Sequence, residues 1–278
     1  MKKILTLILA VVMCVSVFAM SSCSNTVEDW KKIQEKGYFK VGMTIYEPMN
    51  YYDTDGTTLI GFDTEFAQLV AEELGVEVKF QIIEWGNKYL ELNGNKVDCL
   101  WNGFTSNCED DDGIARADKV DFSYAYLDNA QCVIVRSEDL ASITSKDDLA
   151  GNKVDYEAGS AGATFATSVV TDTSKQFPVT SQIEAFTELQ TGKVDFIVVD
   201  VLLANEKCGS SAYPDLVKAE SIKIETEEYS IGFRKNSDFT EKVNEAILVL
   251  LNNGKLEALA EKYDVTITAS LLAKKTAK

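Results

Sequence analysis

The sequence predicts an α/β fold built in two halves that face a shared cleft. Segments with helical spacing of apolar residues alternate with short apolar segments of strand length. One pattern, Glu-Leu-x-x-x-Lys-Val-Asp, occurs twice, at 91–98 and at 188–195. Each copy leads into a short apolar segment that stops at polar residues. The repeat indicates one helix–turn–strand unit used in both halves, although α/β chains often place similar residues between a helix and a strand.

The first 22 residues have the organisation of a secretory signal peptide. Lys2 and Lys3 precede an apolar run at 4–20, and two small residues then precede Cys23. A basic region, an apolar region and a small-residue cleavage site are the three parts of such a signal. Its end at a cysteine resembles a bacterial lipobox. The alternative is an uncleaved membrane anchor, but the run is shorter than the ~20 residues that a spanning helix needs.

The mature chain is expected to begin at Cys23 with lipid on this residue, and residues 23–36 are expected to form the lipidated end and its tether. About 255 residues remain, which suits one large or two ordinary domains. No later stretch is apolar and long enough to span a bilayer. We therefore expect an extracytoplasmic protein that is held at the bacterial cell membrane through its lipid alone.

Charge and histidine content exclude several classes of function. The formal net charge is −17, and loss of Lys2 and Lys3 with the signal changes it to −19. Nucleic acid is therefore not an expected partner, because its phosphates require basic surface. The chain contains no histidine, so Ser-His-Asp, Cys-His and HExxH zinc sites cannot form. Chemistry that uses Lys, Tyr, Asp or Glu stays open.

Neither the cysteines nor the acidic turns predict a metal site or a cofactor. After Cys23 the chain has Cys99, Cys108, Cys132 and Cys208, whose spacing matches no zinc motif. Cys99 and Cys132 both fall in predicted strands, which leaves a disulfide and two buried thiols open. The acidic turn at 53–56 superficially resembles a calcium loop, but it lacks the spaced acceptors and the terminal Glu.

The first half of the chain reads as strand, helix, strand. The segment 39–43 is the first strand, and a turn at 53–56 follows an aromatic loop. Apolar residues at helical spacing predict an amphipathic helix over 62–74, with Gly75 as its left-handed C-terminal cap. Alternation over 76–82 predicts a strand with one buried face. Strand, helix and strand in this order imply a parallel sheet.

A second series of the same kind begins near residue 153. The segment 153–156 reads as a short strand, and a glycine-rich stretch opens a helix over about 163–170. Residues 182–183 read as strand-like, and the following helix ends at Gly192. The apolar segment 194–199 is predicted to be a buried strand.

Two extended apolar segments, 131–135 and 229–234, stand outside both series and could be crossings between the halves. A final helical block covers 239–263. On this arrangement the chain builds one lobe, crosses near residue 132, builds the second lobe, and returns near residue 231. Periodicity permits this topology and does not require it.

Several short motifs together carry a family resemblance. They lie, in chain order, at 61–63, 97–98, 103–105, 116–123, 149–154, 158–162, 194–200 and 231–234. In these motifs the chain is similar to the substrate-binding proteins of amino-acid ABC transporters, in their polar amino-acid branch. Each motif is weak alone, and the resemblance rests on their order and spacing over nearly the whole mature chain.

The resemblance implies a two-lobe, periplasmic-binding-protein-like α/β fold whose hinge is two crossing strands. Lobe 1 would comprise 37–132 and 231–278, and lobe 2 would comprise 133–230. The implied function is that of a monomeric, non-enzymatic receptor. It would bind an L-amino acid in the cleft between the lobes and deliver it to an ABC permease. The alternatives are a dehydratase or lyase on the same fold, and a ligand-sensing domain that reports to a receptor partner.

The resemblance also implies which residues hold the ligand. Arg116 would bind its α-carboxylate as a bidentate fork, a geometry that suits guanidinium groups. Thr105 would contact the same head group, and Asp200 would accept from its ammonium group at a strand end. Tyr46 and Trp85 would sandwich the ligand side chain. Without the resemblance the same residues could be a surface arginine, a strand cap, a helix cap and two core aromatics.

Backbone groups and one amide complete the implied site. A helix start would offer N–H groups to the carboxylate, where the helix dipole and unpaired donors favour an anion. Its residues are Ser160, Ala161 and Gly162. The alternative there is a plain helix cap. Asn102 and Gly103 follow the first repeat, and alternation points only one of Trp101 and Asn102 at the cleft, for which we favour Asn102.

One departure from the family pattern affects Arg116. In the family the threonine and the arginine of this motif are only a few residues apart, whereas Thr105 and Arg116 are separated by eleven. The segment 106–113, which we call the insertion, contains the run Glu109 to Asp112. We expect it to be a solvated loop at the cleft mouth. The alternatives are that it favours a cationic ligand or binds a cation weakly.

Overall fold

The computed structural model describes residues 26–276. The predicted signal peptide, Cys23 and the first part of the tether lie outside these residues. Across the described range, none of the helices has both the length and the apolar character needed to cross a membrane.

Thirteen strands are present in the described chain. They are β1 Tyr38–Met43, β2 Tyr51–Tyr52, β3 Leu59–Ile60, β4 Glu77–Ile82, β5 Cys99–Leu100, β6 Asp121–Phe122, β7 Leu127–Arg136, β8 Val154–Glu157, β9 Gln176–Val179, β10 Phe196–Asp200, β11 Leu216–Lys218, β12 Thr226–Tyr229 and β13 Gly232–Phe233.

Ten α-helices accompany them within the same residues. They are α1 Asp29–Lys36, α2 Phe62–Leu74, α3 Lys88–Asn93, α4 Arg116–Lys119, α5 Ala161–Val169, α6 Gln182–Gln190, α7 Val201–Lys207, α8 Phe239–Asn252, α9 Lys255–Lys262 and α10 Ala269–Leu272.

Two mixed sheets form the two lobes of the molecule. The first has the strand order β4-β1-β5-β13-β6, in which β4, β1 and β5 are parallel and β13 is antiparallel to its neighbours. The second has the order β11-β7-β10-β8-β9, in which β10, β8 and β9 are parallel. The predicted parallel pairing is confirmed for the strands of each βαβ series. The returning strands make both sheets mixed.

The chain passes between the two sheets twice. It leaves the first sheet after β6 and enters the second in β7, and it returns through β12 to β13. The two passages lie side by side, because β12 pairs with the first residues of β7 in antiparallel register, from Thr226↔Ala130 to Tyr229↔Leu127. This paired ribbon is the only strand pairing that joins the passages in the described chain.

The duplicated pattern takes the same structure in both lobes. Each copy closes a helix, α3 or α6, and leads into a strand, β5 or β10. The carboxylate of Asp98 accepts the N–H of Lys40, which lies in the neighbouring strand, at 2.8 Å. The carboxylate of Asp195 accepts the N–H of Lys153, which precedes the neighbouring strand, also at 2.8 Å. The predicted helix–turn–strand unit is therefore confirmed, and its Asp fixes the start of the adjacent parallel strand.

Backbone carbonyls, and no side-chain cap, hold the start of α2. The helix has the predicted bounds, and Gly75 adopts the left-handed conformation at its end. Its first N–H groups bond to the carbonyls of Pro48 and Met49. The carboxylate of Asp63 instead accepts from the N–H of Gly103 at 2.7 Å and from the hydroxyl of Tyr126 at 3.0 Å.

One predicted element was wrong. The expected strand at 182–183 is the first turn of α6, because the Ser181 hydroxyl caps the helix by accepting the N–H of Glu184. The edge strand is β9, six residues earlier, where Pro178 is tolerated because an edge strand has one unpaired side. The block at 239–263 is two helices, α8 and α9, which meet at Gly254.

The cysteines of the described chain are free thiols. Cys99 lies in β5 of the first sheet and Cys132 in β7 of the second, so the two are not a disulfide pair. The turn at 53–56 joins β2 and β3, and the Asp55 carboxylate accepts from the N–H groups of Thr57 and Thr58. Across residues 26–276 no cluster of three His, Cys, Asp or Glu side chains could hold a metal ion.

We predict that Gly61→Ala destabilises the protein by on the order of 3 kcal/mol or more. Gly61 has a φ of +123°, and a Cβ there would stand 2.3 Å from the Met49 carbonyl oxygen, which accepts N–H groups of α2. The free energy of unfolding in urea measures the loss.

The matched control is Gly75→Ala. Gly75 also has a positive φ, +69°, but a Cβ added to it would meet no atom of the described chain within 4 Å. This change should cost only the backbone strain of about 1–2 kcal/mol. Equal losses in the two variants would contradict the role assigned to the Met49 contact.

Candidate functional site

Nine of the ten predicted ligand-binding residues line one narrow cavity between the two sheets. From the first lobe these are Tyr46, Trp85, Asn102, Gly103, Thr105 and Arg116, and from the second they are Ser160, Ala161 and Asp200. Gly162 does not line the cavity; a Cβ on it would stand 2.9 Å from the Gln131 side chain. Three lining residues were not predicted: Gln131, Glu157 and Gln182.

The Asn102 amide is used entirely within the first lobe. Its oxygen accepts from the N–H and the hydroxyl of Thr44, at 3.0 and 2.7 Å. Its nitrogen donates to the Thr44 carbonyl at 2.9 Å and to Asn50 at 2.7 Å. These four bonds fill the capacity of a side-chain amide. Asn102 therefore holds the aromatic loop in place, while Trp101 packs into the core against Phe66.

Gly103 allows two tyrosines, Tyr46 and Tyr229, to come together beside it. Its φ is +56°, and a Cβ would stand 2.8 Å from the Tyr46 ring and 2.9 Å from the Tyr229 ring. The hydroxyls of these two tyrosines share a hydrogen bond of 2.7 Å. Tyr229 in turn donates to Asp200 at 2.7 Å. Because Gly103 has no side chain, Tyr46 of the first lobe can bond to Tyr229, which in turn bonds to Asp200 at the end of β10.

Arg116 is almost fully buried and keeps two N–H groups for a ligand. Its Nε donates to Asp110 at 2.8 Å, Nη1 to the Thr105 carbonyl at 3.1 Å, and Nη2 to the Gly159 carbonyl at 3.1 Å. A guanidinium group has five N–H donors, two of them on each terminal nitrogen. Within residues 26–276 one N–H therefore remains on Nη1 and one on Nη2, the pair that binds a carboxylate as a fork.

The insertion is not simply a solvated loop, as we expected. Asp110 is buried, and its carboxylate accepts from Arg116, from the Tyr89 hydroxyl at 2.6 Å and from Lys119 at 2.9 Å. Burial alone would raise the pKa of Asp110, but the charges of Arg116 and Lys88 lower it to about 2. The insertion thus supplies an internal counter-ion that fixes Arg116. Only its outer part, such as Asp112, is exposed.

Asp200 ends β10 and shares its donors with a second buried carboxylate, Glu227. Asp200 accepts from Asn129 at 2.6 Å and Gln131 at 2.7 Å. Glu227 accepts from the same two amides and from Thr105 at 3.1 Å. Burial raises the pKa of Asp200, and burial together with the Asp200 charge raises the pKa of Glu227 to about 7. Asp200 therefore presents a carboxyl group to the cavity, and a second buried carboxyl group is bonded to the same amides.

The start of α5 behaves as a capped helix. The Ser160 hydroxyl accepts the N–H of Ala163 at 3.0 Å, which is the plain cap that we weighed as the alternative. Ser160 and Ala161 nevertheless face the cavity. The first N–H groups of an α-helix have no carbonyl partner inside the helix, so this end can receive an anion as well.

Glu157 is the most important of the cavity residues that were not predicted from the sequence. It ends β8 and is only 4% exposed, and its Oε1 has no hydrogen-bond partner in the described chain. Burial, and then the Asp200 charge, raise the pKa of Glu157 to about 8. The signal that revealed Asp200, a carboxylate at the end of a buried strand, was also present at Glu157.

Lys88 and Glu227 were missed as well. Lys88 is buried at the cleft, where its Nζ donates to the Gly159 carbonyl at 2.8 Å. Burial and the Arg116 charge lower the pKa of Lys88 to about 8. Glu227 lies two residues before Tyr229, so strand alternation puts both on one face. No sequence pattern distinguishes Lys88 from an exposed helix lysine.

The sequence model of the family described as "Bacterial extracellular solute-binding proteins, family 3" matches residues 39–266. Curated relatives include the L-cystine-binding protein TcyJ of Escherichia coli (strain K12), which is 29% identical over 92% of this chain and 95% of the relative. The arginine-binding extracellular protein ArtP of Bacillus subtilis (strain 168) is 28% identical over 95% of this chain and 98% of its own length.

Solved structures agree with the sequence comparison. An ABC uptake transporter substrate-binding protein from Streptococcus pneumoniae with bound histidine has a TM-score of 0.74 at 28% identity. The match covers 85% of this chain and 96% of that protein. These relatives are named for different amino acids, namely cystine, arginine and histidine.

We predict that the free energy of unfolding of the ligand-free protein falls as the pH rises from about 5 to 8. Four buried carboxyl groups have pKa values raised to about 7 or 8, namely Asp63, Asp155, Glu157 and Glu227. In this window the folded state binds more protons than the unfolded state, so stability decreases with pH.

Urea unfolding at pH 5.5 and pH 8 measures the difference. The lowered pKa of Asp110 makes stability depend on pH only below this window, because above about pH 5 that carboxyl group is ionised in both the folded and the unfolded state. Greater stability at pH 8 than at pH 5.5 would contradict the raised pKa values of these four carboxyl groups, which follow from their burial away from cationic partners.

Proposed function

This chain belongs to family 3 of the bacterial extracellular solute-binding proteins, and on that premise we propose that it binds one L-α-amino acid between its lobes and delivers it to an ABC permease. One observation carries the proposal. The same cavity holds a buried arginine with two N–H groups to spare, and the buried carboxyl group of Asp200 at the end of β10. These are the two kinds of group that a zwitterionic head group requires.

The head group has a defined orientation in this proposal. The α-carboxylate binds the remaining N–H groups of Arg116, with the start of α5 behind it. The α-ammonium group binds Asp200 and takes the place of one of the amide donors that now satisfy it. Tyr46 and Trp85 then enclose the ligand side chain. Because the head group is buried, each of its charges needs a partner of opposite sign.

Ligand exchange requires the lobes to separate. The structure is closed, since Arg116 and Lys88 of the first lobe both donate to the Gly159 carbonyl of the second. Lys207 and Glu47 form an ion pair between the lobes as well. We propose that the paired strands β7 and β12 are the hinge, and that a ligand stabilises the closed form because it binds that form better.

The lobe boundaries and the cellular context remain proposals from the sequence. Lobe 1 would comprise 37–132 and 231–278, and lobe 2 would comprise 133–230. Lipid on Cys23 would hold a monomeric receptor at the outer face of the membrane. A non-enzymatic role fits a site without histidine, and the family members are solute-binding proteins.

We predict that one or a few L-amino acids raise the melting temperature of the mature protein. A ligand at a hundred times its Kd adds about 2.7 kcal/mol to the free energy of unfolding. A thermal-shift screen of the twenty amino acids and L-cystine measures this. The amino acid should be recovered unchanged after incubation, and its consumption would favour the dehydratase or lyase alternative. Absence of any shift would refute the proposal.

We predict that Arg116→Lys weakens ligand binding by about 1.5–3 kcal/mol, or roughly 10–150-fold in Kd. Lysine keeps the positive charge and loses the planar fork that fits a carboxylate. The Kd from isothermal titration calorimetry measures the change.

Arg136→Lys is the matched control. Arg136 also donates to two backbone carbonyls, those of Leu189 and Val194, but it lies in the second lobe and does not line the cavity. Its substitution should leave the Kd unchanged. An unchanged Kd for Arg116→Lys would assign the carboxylate to another group.

A further inference from the structure

We propose that the ligand side chain ends in a cation, an ammonium or guanidinium group, and that Glu157 is the carboxylate that receives it. This inference rests on the proposed function and specifies the class of amino acid. It starts from one side chain, Glu157, whose burial is not explained by the fold or by the head-group site.

Glu157 faces the cavity with one oxygen unpaired. It is 4% exposed and lines the cavity, and its Oε1 accepts no hydrogen bond within residues 26–276. A buried polar atom without a partner loses its hydration and gains nothing in return. Asp200 and Glu227 differ from it, because amide and hydroxyl donors already satisfy them. Glu157 is therefore the cavity carboxylate with one buried oxygen that still lacks a donor.

The position of Glu157 suits the side chain rather than the head group. Strands β8 and β10 are parallel neighbours in the register Val198↔Tyr156. In this register Glu157 lies opposite Val199, the residue before Asp200, and both carboxyl groups line the cavity at the carboxyl ends of neighbouring strands, which are about 4.8 Å apart. If the ligand ammonium binds Asp200, a side chain that leaves the α-carbon toward β8 brings its end to Glu157.

The charges around the cavity favour a cation over a neutral side chain. Three carboxyl groups, Glu157, Asp200 and Glu227, are buried there, against the two cations Arg116 and Lys88. Arg116 is already engaged by Asp110 at 2.8 Å. A zwitterion with a neutral side chain adds no net charge and leaves the Oε1 of Glu157 without a cationic partner. A ligand with one more positive charge would offset the negative charge of Glu157.

Lys88 does not take this role in the closed structure. Its Nζ donates to the Gly159 carbonyl at 2.8 Å and lies 3.9 Å from Asp110, and it forms no ion pair with Glu157. The groups that act on Glu157 are Asp200 on β10, which opposes its ionisation, and Lys88 and Gln182, which favour it. Thr44 of the first lobe also favours the ionised form.

Binding of a cation should therefore release a proton. Burial and the Asp200 charge raise the pKa of Glu157 to about 8, so the group is mostly protonated at pH 7 before the ligand arrives. A cation that pairs with Glu157 stabilises the ionised form, and the proton leaves to solvent. Affinity for the cationic ligand should accordingly rise from pH 6 to pH 8.

Isothermal titration calorimetry of the mature protein tests the inference. L-arginine and L-lysine are compared with L-glutamine and L-cystine at pH 7, in two buffers of different ionisation enthalpy. We expect arginine or lysine to bind most tightly and to release on the order of one proton per ligand. If glutamine or cystine binds more tightly than both cations, the inference is wrong and the proposed function stands. If none of these four binds, the inference is wrong, and the proposed function itself fails only if no amino acid of the full thermal-shift screen binds.

Two matched variants locate the effect. Glu157→Gln keeps the shape and removes the charge, and it should weaken binding of the cationic ligand at least about 30-fold and abolish proton release. Asp155→Asn changes another buried carboxyl with unpaired oxygens, two residues earlier on β8 and outside the cavity lining. It should leave both affinity and proton release unchanged. Retention of tight binding and proton release by Glu157→Gln would overturn the assignment.

Discussion

Burial of like charges between the two sheets is the constraint on which the rest of the structure depends. Asp200 and Glu227 form no ion pair with any cation of the described chain, and two amides, Asn129 and Gln131, share their N–H groups between them. Two carboxyl groups so close to each other resist ionisation, and their pKa values are raised. A fold that only needed stability would place apolar residues here. The arrangement is understandable in a cleft that closes around a positively charged group.

On the first lobe the buried charge is positive, and the insertion supplies its counter-ion. A buried arginine that waits for a carboxylate needs a counter-ion when no ligand is present, and Asp110 supplies one through Nε. This leaves the terminal nitrogens directed at the Thr105 and Gly159 carbonyls, each with one N–H remaining. The longer spacing between Thr105 and Arg116 thus does not displace the arginine from the cavity. Instead, the longer segment supplies Asp110, and this carboxylate orients the guanidinium group of Arg116.

The α/β class and most of the cavity could be predicted from the sequence because both depend on local patterns. The repeated helix–turn–strand unit identifies the two strand ends that deliver Asn102 and Asp200. Contacts between residues far apart in the chain leave no such pattern. For this reason the bond of Asp63 to Gly103 and the burial of Asp110 beside Arg116 were not predicted. Glu157 was missed because a carboxylate at a strand end also occurs as an ordinary solvent-exposed residue.

A crystal structure of the mature protein with its tightest-binding amino acid tests the central claim most directly. We predict the α-carboxylate within hydrogen-bond distance of both terminal nitrogens of Arg116, and the α-ammonium group within hydrogen-bond distance of Asp200. The lobes should be closed around the ligand. A ligand bound outside this cavity, or one whose carboxylate faces Asp200, would contradict the account.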